Sequence, residues 1–171
     1  MKRLPLFLMT AALMIPVGLS AKTTRTLPEE VQHQLAMLPH YNVFDDLAFK
    51  VDGTTVILTG QVTRPVVKED AQYAVRHVEG VTSVVNNIEV LPLSPTDDQL
   101  RMAVYRAVYG APSLSDRYGF QASPSIHIIV KNGVVKLEGV VANKMDRQIA
   151  GMRAQNVFGS FQVVNDLQIG S

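Results

Sequence analysis

Val84-Val85-Asn86-Asn87-Ile88 reads VVNNI, and further along Val163-Val164-Asn165-Asp166-Leu167 reads VVNDL. A carboxamide inside an apolar, β-branched run is costly unless it finds a hydrogen-bond partner, so its recurrence needs a catalytic or an architectural reason. Sliding the chain until Asn86 falls on Asn165 aligns 47–90 on 126–169 without a gap, and the coincident residues include Leu58/Leu137, Gly60/Gly139 and Gly80/Gly159. Gapless register over a whole unit means duplicated structure rather than shared composition, and a repeat decides an architecture before single elements are assigned.

Periodicity fills in the unit. Leu47, Phe49 and Val51 alternate with polar or small residues, and so do Val56, Leu58, Gly60 and Val62 after the turn-like Asp52-Gly53. The second copy repeats this with Ile126, Ile128 and Val130, then Asn132-Gly133, then Val135, Leu137, Gly139 and Val141. Two strands joined by a tight turn fit both, and Asn-Gly is a strong hairpin signal. From Pro65 to Glu79 the apolar spacing moves from 2 to 3.6 with Val67, Ala71, Ala74, Val75 and Val78, and Gly80 stops the helix. Lys144 to Phe158 repeats it less regularly, with Arg153 in the place of Ala74, and Gly159 ends it. A third strand follows each helix, over 82–91 and 161–169.

A further helix precedes each hairpin. Glu29 to Leu38 carries Val31, Leu35 and Leu38, and Pro39 stops it. Ser94-Pro95-Thr96-Asp97 supplies an N-cap, a proline at the first helical position and a first-turn acid for a helix over Pro95–Tyr109, ended by Gly110. The expected fold class is α+β: two tandem αββαβ modules, each with two helices packed on a three-stranded mixed sheet. The expected domains are 27–92 and 94–170, joined by the short Leu91-Pro92-Leu93-Ser94 connector that favours a rigid tandem. Residues 111–124 read as the longest loop. Whether the last strand lies beside the first or the second hairpin strand stays open.

At 171 residues and 47% hydrophobic, the chain can bury one medium core or two small ones. Lys2 and Arg3 precede an apolar run over 4–19, followed by small residues and the polar KTTRT, which is the layout of a secretory signal peptide over 1–21, cleaved after Ser20 or Ala21. The run, broken by Pro5 and Pro16, falls short of the roughly 20 residues that span a bilayer. With no cysteine, disulfide and thiolate chemistry are excluded, as is a lipid-modified N-terminal cysteine. Without Lys2 and Arg3 the chain carries 14 basic and 15 acidic side chains, so bulk attraction to nucleic acid is not expected. Export followed by a soluble periplasmic life is the expectation.

With these residues in place, the chain resembles the BON family, named from bacterial osmotically inducible and nodulation proteins. The resemblance rests on Val-x-Leu-x-Gly-x-Val (Val56 to Val62, Val135 to Val141), an alanine in the next helix, and Gly-Val-x-x-Val-x-Asn, intact as Gly80 to Asn86. The second copy, Gly159 to Asn165, has Ser160 where the valine belongs. The resemblance implies paired αββαβ modules, usually exported, associated with envelope integrity, osmotic stress and phospholipid binding, and it implies no enzyme.

The residues are then weighed one by one. Asn86 and Asn165 share parity with Val84 and Ile88, and with Val163 and Leu167, so an unbulged strand turns them to the apolar face, where a buried amide must bond neighbouring backbone. With no acid, base or nucleophile alongside, this is architecture. Gly60 and Gly139 inside strands point to a bulge or to close approach by a helix. His33, His40, His77 and His127 show no metal-ligand spacing, and no serine-nucleophile motif occurs, so no metal, cofactor or catalytic residue is expected. Asp45-Asp46 and Asp97-Asp98 read as solvated caps.

The functional candidate is the helix from Pro95. Arg101, Tyr105 and Tyr109 recur at i, i+4 and i+8, flanked by Met102 and Arg106, giving an aromatic and basic face suited to a membrane interface. Charge agrees, since residues 22–93 hold six basic and nine acidic side chains and residues 94–171 hold eight and six. The same stripe also fits packing against the first module. Tyr118, Gly119 and Phe120 offer an apolar insertion point. An anionic phospholipid surface and an envelope protein are the two partner classes that follow.

Overall fold

Both modules are built on one register. The computed structural model describes residues 25–121 and 125–170, so the expected signal peptide lies outside the described residues. The first module runs α1 (Leu27–Ala36), β1 (Asp46–Asp52), β2 (Thr55–Val62), α2 (Pro65–Arg76), β3 (Ser83–Asn86) and β4 (Glu89–Val90). The second runs α3 (Pro95–Tyr109), α4 (Pro112–Tyr118), β5 (Ile126–Lys131), β6 (Val134–Val141), α5 (Lys144–Gln155), β7 (Gln162–Asn165) and β8 (Gln168–Ile169).

Local chemistry places the helix starts. Thr26 and Glu29 form a reciprocal capping box that opens α1 two residues before the expected start. Ser94 accepts from the Asp97 amide at 3.2 Å and Asn143 from the Asp146 amide at 2.9 Å, which opens α3 and α5. α3 covers Pro95–Tyr109 as its sequence implies.

The sheet order resolves what periodicity left open. β2 is central, antiparallel to β1 and parallel to β3 and β4, and β6 holds the same place among β5, β7 and β8. The Leu58–Asn86 pair returns as Leu137–Asn165 and the Val62–Val90 pair as Val141–Ile169, each at the offset that carries Gly60 onto Gly139. The third strand of each module is therefore one strand broken in two, at 87–88 and 166–167, so each sheet counts four short strands where three were expected. The turns differ. Asn132 and Gly133 both have positive φ, at 53° and 75°, whereas the first hairpin turns at Gly53-Thr54 with only Gly53 positive, at 61°.

Two cores form, one per module, each between the helices and one face of its sheet. The described part of the expected 111–124 loop, residues 111–121, holds a helix: Pro112 starts the seven-residue α4, which inserts Leu114 and Tyr118 into the second core. β5 is buried on both faces, His127 and Ile129 included, because residues 41–46 of the first module pack beside it. Val43 accepts from the Ile128 amide at 2.8 Å, the Tyr41 ring stacks on His127 at 5.4 Å, and Lys131 bridges to Glu89 at 2.5 Å. The short connector thus joins modules in direct contact.

Candidate interaction surfaces

The repeated asparagine closes the break in the third strand. Gly60 has a φ of 120° and Gly139 of 112°, which carries β2 and β6 out of the ordinary strand conformation opposite each break. A Cβ on Gly60 would stand 2.2 Å from the Asp46 carbonyl oxygen, and one on Gly139 2.2 Å from that of Ser125. Of the two expected causes, a bulge or close approach by a helix, the helix is not the neighbour: the crowding backbone is that of β1 and of the residue just before β5. At the last paired position Asn86 turns to α2, donating to the Lys68 carbonyl at 2.9 Å and to Gln72 Oε1 at 3.1 Å, while its Oδ1 accepts from the Ile88 amide at 3.2 Å. Asn165 donates to the Arg147 carbonyl at 2.8 Å in the same place. Both are half-buried rather than fully buried. Gly80 and Gly159 lie in the turns beyond α2 and α5 at φ of 91° and 95°. Asn86→Leu removes three bonds and leaves the Ile88 amide unpaired, so it is expected to cost roughly 1–3 kcal/mol and lower the melting temperature by several degrees; an unchanged melting curve contradicts the bonded role.

One acid of each pair, Asp45 and Asp97, is buried rather than a solvated cap. Asp45 is buried and accepts from Thr63 N and Oγ1 at 2.6 and 2.8 Å. Asp97 is buried and accepts from the Asn132 and Gly133 amides, both at 2.9 Å, fastening α3 to the hairpin. Their partners Asp46 and Asp98 are less enclosed. Among the described residues no group of three or more His, Asp or Glu could hold a metal ion.

The aromatic and basic stripe of α3 does not form a single exposed face. Arg101 is 4% exposed: Nη2 donates to the Val130 carbonyl at 2.7 Å, Nη1 pairs with Asp98, and Nε has no partner. The residue sits beside Leu100 at the margin of the core stripe, and its length lets the guanidinium reach β5. Tyr109 is 9% exposed, donates to the Ile126 carbonyl at 2.7 Å, and burial pushes its phenol up to about 12. Tyr105 is half-buried, 4.9 Å from Tyr109 and edge-on to Phe44 of the first module at 6.1 Å. Met102 and Arg106 remain exposed. The stripe is thus divided between core, inter-module packing and solvent.

Where it meets the first module, an open groove of about 430 Å³ is lined by Tyr41, Phe44, Met102, Tyr105, Tyr109 and Tyr118, with neighbouring backbone. Burial raises the Tyr41 phenol, and nearby Asp46 and Asp45 add to the effect. Burial also raises Asp46, with repulsion from Glu138 adding to it and His127 and Lys136 opposing it.

A second surface escapes periodicity because its residues do not belong to the core stripe. On α5 the exposed charged residues are Lys144, Arg147 and Arg153, and the helix's single carboxylate, Asp146, is buried. Met145 and Met152 are exposed on the same helix. Beyond the helix, Phe158 is 101% exposed and Phe161 85%. The available signal is a difference between the copies, since the repeat register places Phe158 on Glu79 and Phe161 on Thr82.

The geometry defines a tandem of αββαβ modules whose repeated motif residues hold the backbone together. The profile of the BON domain matches residues 25–92 and again 96–171, and the chain belongs to the BON-domain family. Among solved structures it is similar to the C-terminal domain of CdsD, described as the structural protein of the type III secretion system of Chlamydia trachomatis. That match has 13% identity, covers 83% of this chain and 96% of that one, and has a TM-score of 0.34. A second CdsD structure from Chlamydia trachomatis matches at 14% identity, covering 85% and 93%, with a TM-score of 0.33. No curated protein matches the chain.

Proposed function

We propose that the chain is exported to the periplasm, loses residues 1–21 as a signal peptide, and acts there as a non-enzymatic tandem BON-domain protein. In this reading it contacts anionic phospholipid and supports envelope integrity or tolerance of osmotic stress. The observation that carries the reading is that cationic surplus and exposed apolar side chains fall on the same module. The second module has eight basic and six acidic side chains. Burial takes Asp97, Asp146 and Arg101 from the surface, which leaves seven cations against four carboxylates. Met102, Phe120, Met145, Met152, Phe158 and Phe161 are exposed on that module. Each cation near an anionic leaflet contributes roughly 1 kcal/mol, and apolar insertion adds to it. Met102 and Arg106 remain candidate contacts from α3, with Tyr105 at their edge; Arg101 and Tyr109 act instead inside the module.

Flotation of the mature protein with phosphatidylglycerol-containing and pure phosphatidylcholine vesicles tests this. The expected result is flotation with the anionic vesicles only, weakened by salt because exposed charges are screened within about 8 Å at 0.15 M. Absence from the vesicle fraction at low salt removes the reading. The groove between the modules favours one alternative, an adaptor that docks an envelope protein without touching lipid. It prevails if the protein stays with the supernatant and the groove-lining variant Tyr105→Ala loses a captured envelope partner.

A further inference from the structure

We propose that the turn joining α5 to β7 is the element that enters the bilayer, with Phe158 and Phe161 as its insertion residues and the exposed face of α5 lying against the headgroups. This deepens the membrane reading above and rests on it. The first module serves as an internal control, because backbone geometry is shared and side chains are not. The Phe161 amide donates to the Gly133 carbonyl at 2.9 Å, as the Thr82 amide does to Thr54 at 2.9 Å. In the first module the side chain at that point is satisfied, Thr82 Oγ1 lying 2.7 Å from Thr54 Oγ1, and the turn tip carries Glu79. In the second, both positions are phenylalanines left almost wholly in water.

The mount is specific. Gly133 has a φ of 75°, and a Cβ there would fall 2.4 Å from the Phe161 ring, so the glycine lets the ring lie over the hairpin turn, and the turn presents Phe158 and Phe161 together. An exposed apolar pair of this kind marks an interaction site.

Charge chooses the occupant. At about 100° per residue, Met145 and Met152 fall close together on the outer face of α5, with Lys144 and Arg153 on its two flanks. No exposed carboxylate interrupts the face. Arg147 adds a third cation farther round the helix, where it donates to the Asn165 carbonyl at 3.1 Å and borders the sheet. The matching helix α2 exposes Glu69 and, at its border, Asp70. Apolar centre, cationic margins and an adjoining apolar tip are the layout of a surface that lies in an anionic interface.

The chain has no tryptophan, so Phe158→Trp is a single-site reporter. With vesicles of phosphatidylglycerol and phosphatidylcholine in equal parts, its emission is expected to shift to the blue and to be quenched by brominated acyl chains. The double variant Phe158→Ser/Phe161→Ser is expected to keep the wild-type melting temperature, because both rings are exposed, and to lose about tenfold or more in vesicle partitioning. Flotation with an unshifted, unquenched tryptophan, or a double variant that floats like wild type, overturns the insertion proposal and leaves membrane contact standing. If the unaltered protein does not float, both readings fall. A blue shift that grows with protein concentration in the absence of vesicles assigns the patch to a second copy of the chain and also overturns the proposal.

Discussion

Gly139→Ala is expected to destabilise the second module by roughly 3–5 kcal/mol, the range in which a forbidden backbone conformation and a hard clash act together. The residue has a φ of 112°, where an L side chain is strained whatever space surrounds it. Space is also lacking, since the new Cβ would lie 2.2 Å from the Ser125 carbonyl oxygen and 3.1 Å from its carbon. That oxygen cannot retreat freely, because it accepts from the Val140 amide at 2.9 Å. For a module of this size each kcal/mol moves the melting temperature by about 4–8 °C, so calorimetry should find the second module melting well over about 10 °C lower. Gly60→Ala should act alike on the first module, where the clash is with Asp46. A melting curve unchanged in either variant contradicts the backbone role assigned to the pair.

The same glycine shows where sequence reading ends. A glycine recurring in a strand interior announces a special backbone site, and the gapless register of the two copies announces that the site is duplicated. Which neighbour crowds it depends on sheet order, and alternation along a strand carries no information about which strand lies next to it. The break in the third strand is hidden for a related reason. Asn86 and Ile88 keep strand parity across it, so the apolar pattern reads as continuous while the ladder opens beside Gly60. α4 is hidden because so short a helix offers a single i, i+4 pair, Leu114 and Tyr118, too few to establish a period.

The candidate surface is legible in its residue types and misplaced in its position. Arg101 and Tyr109 are amphipathic side chains whose polar ends find backbone carbonyls on β5, and helical spacing cannot distinguish such a residue from one facing water. The module asymmetry in charge is legible and persists at the surface. The phenylalanines of the α5–β7 turn fall at the ends of the helix and strand expected over 144–158 and 161–169, but α5 stops at Gln155 and β7 starts at Gln162; only comparison of the copies, Phe158 with Glu79 and Phe161 with Thr82, separates them from ordinary turn residues.

Asp146 carries the second large effect, and it is expected to appear as a pH dependence. The carboxylate is 2% exposed at the start of α5. Its Oδ2 accepts from Arg117 at 2.6 Å, the Tyr118 hydroxyl at 2.7 Å and Asn143 Nδ2 at 3.1 Å. The Tyr118 hydroxyl in turn accepts from the Ala142 amide at 2.8 Å, so one carboxylate joins α4, α5 and the end of β6. Burial pushes the Asp146 carboxyl up, but hydrogen bonds from Tyr118 and Arg117, the Arg117 charge and the bond from Asn143 together hold it below its usual range. A lowered native value means that the unfolded chain binds the proton more readily. The stabilisation is therefore fully present above the ordinary aspartate value of about 3.9 and is lost as pH falls through it towards the depressed native value. Asp146→Ala leaves the donors around it unpaired and should cost roughly 3 kcal/mol at neutral pH, with faster hydrogen exchange in α4. Asp146→Asn should be less stable than wild type by a constant margin above about pH 5.5, with the margin closing below about pH 4. Urea unfolding across that range measures it, and a margin that stays constant down to about pH 3 would show that the Asp146 charge does not hold α4 in place.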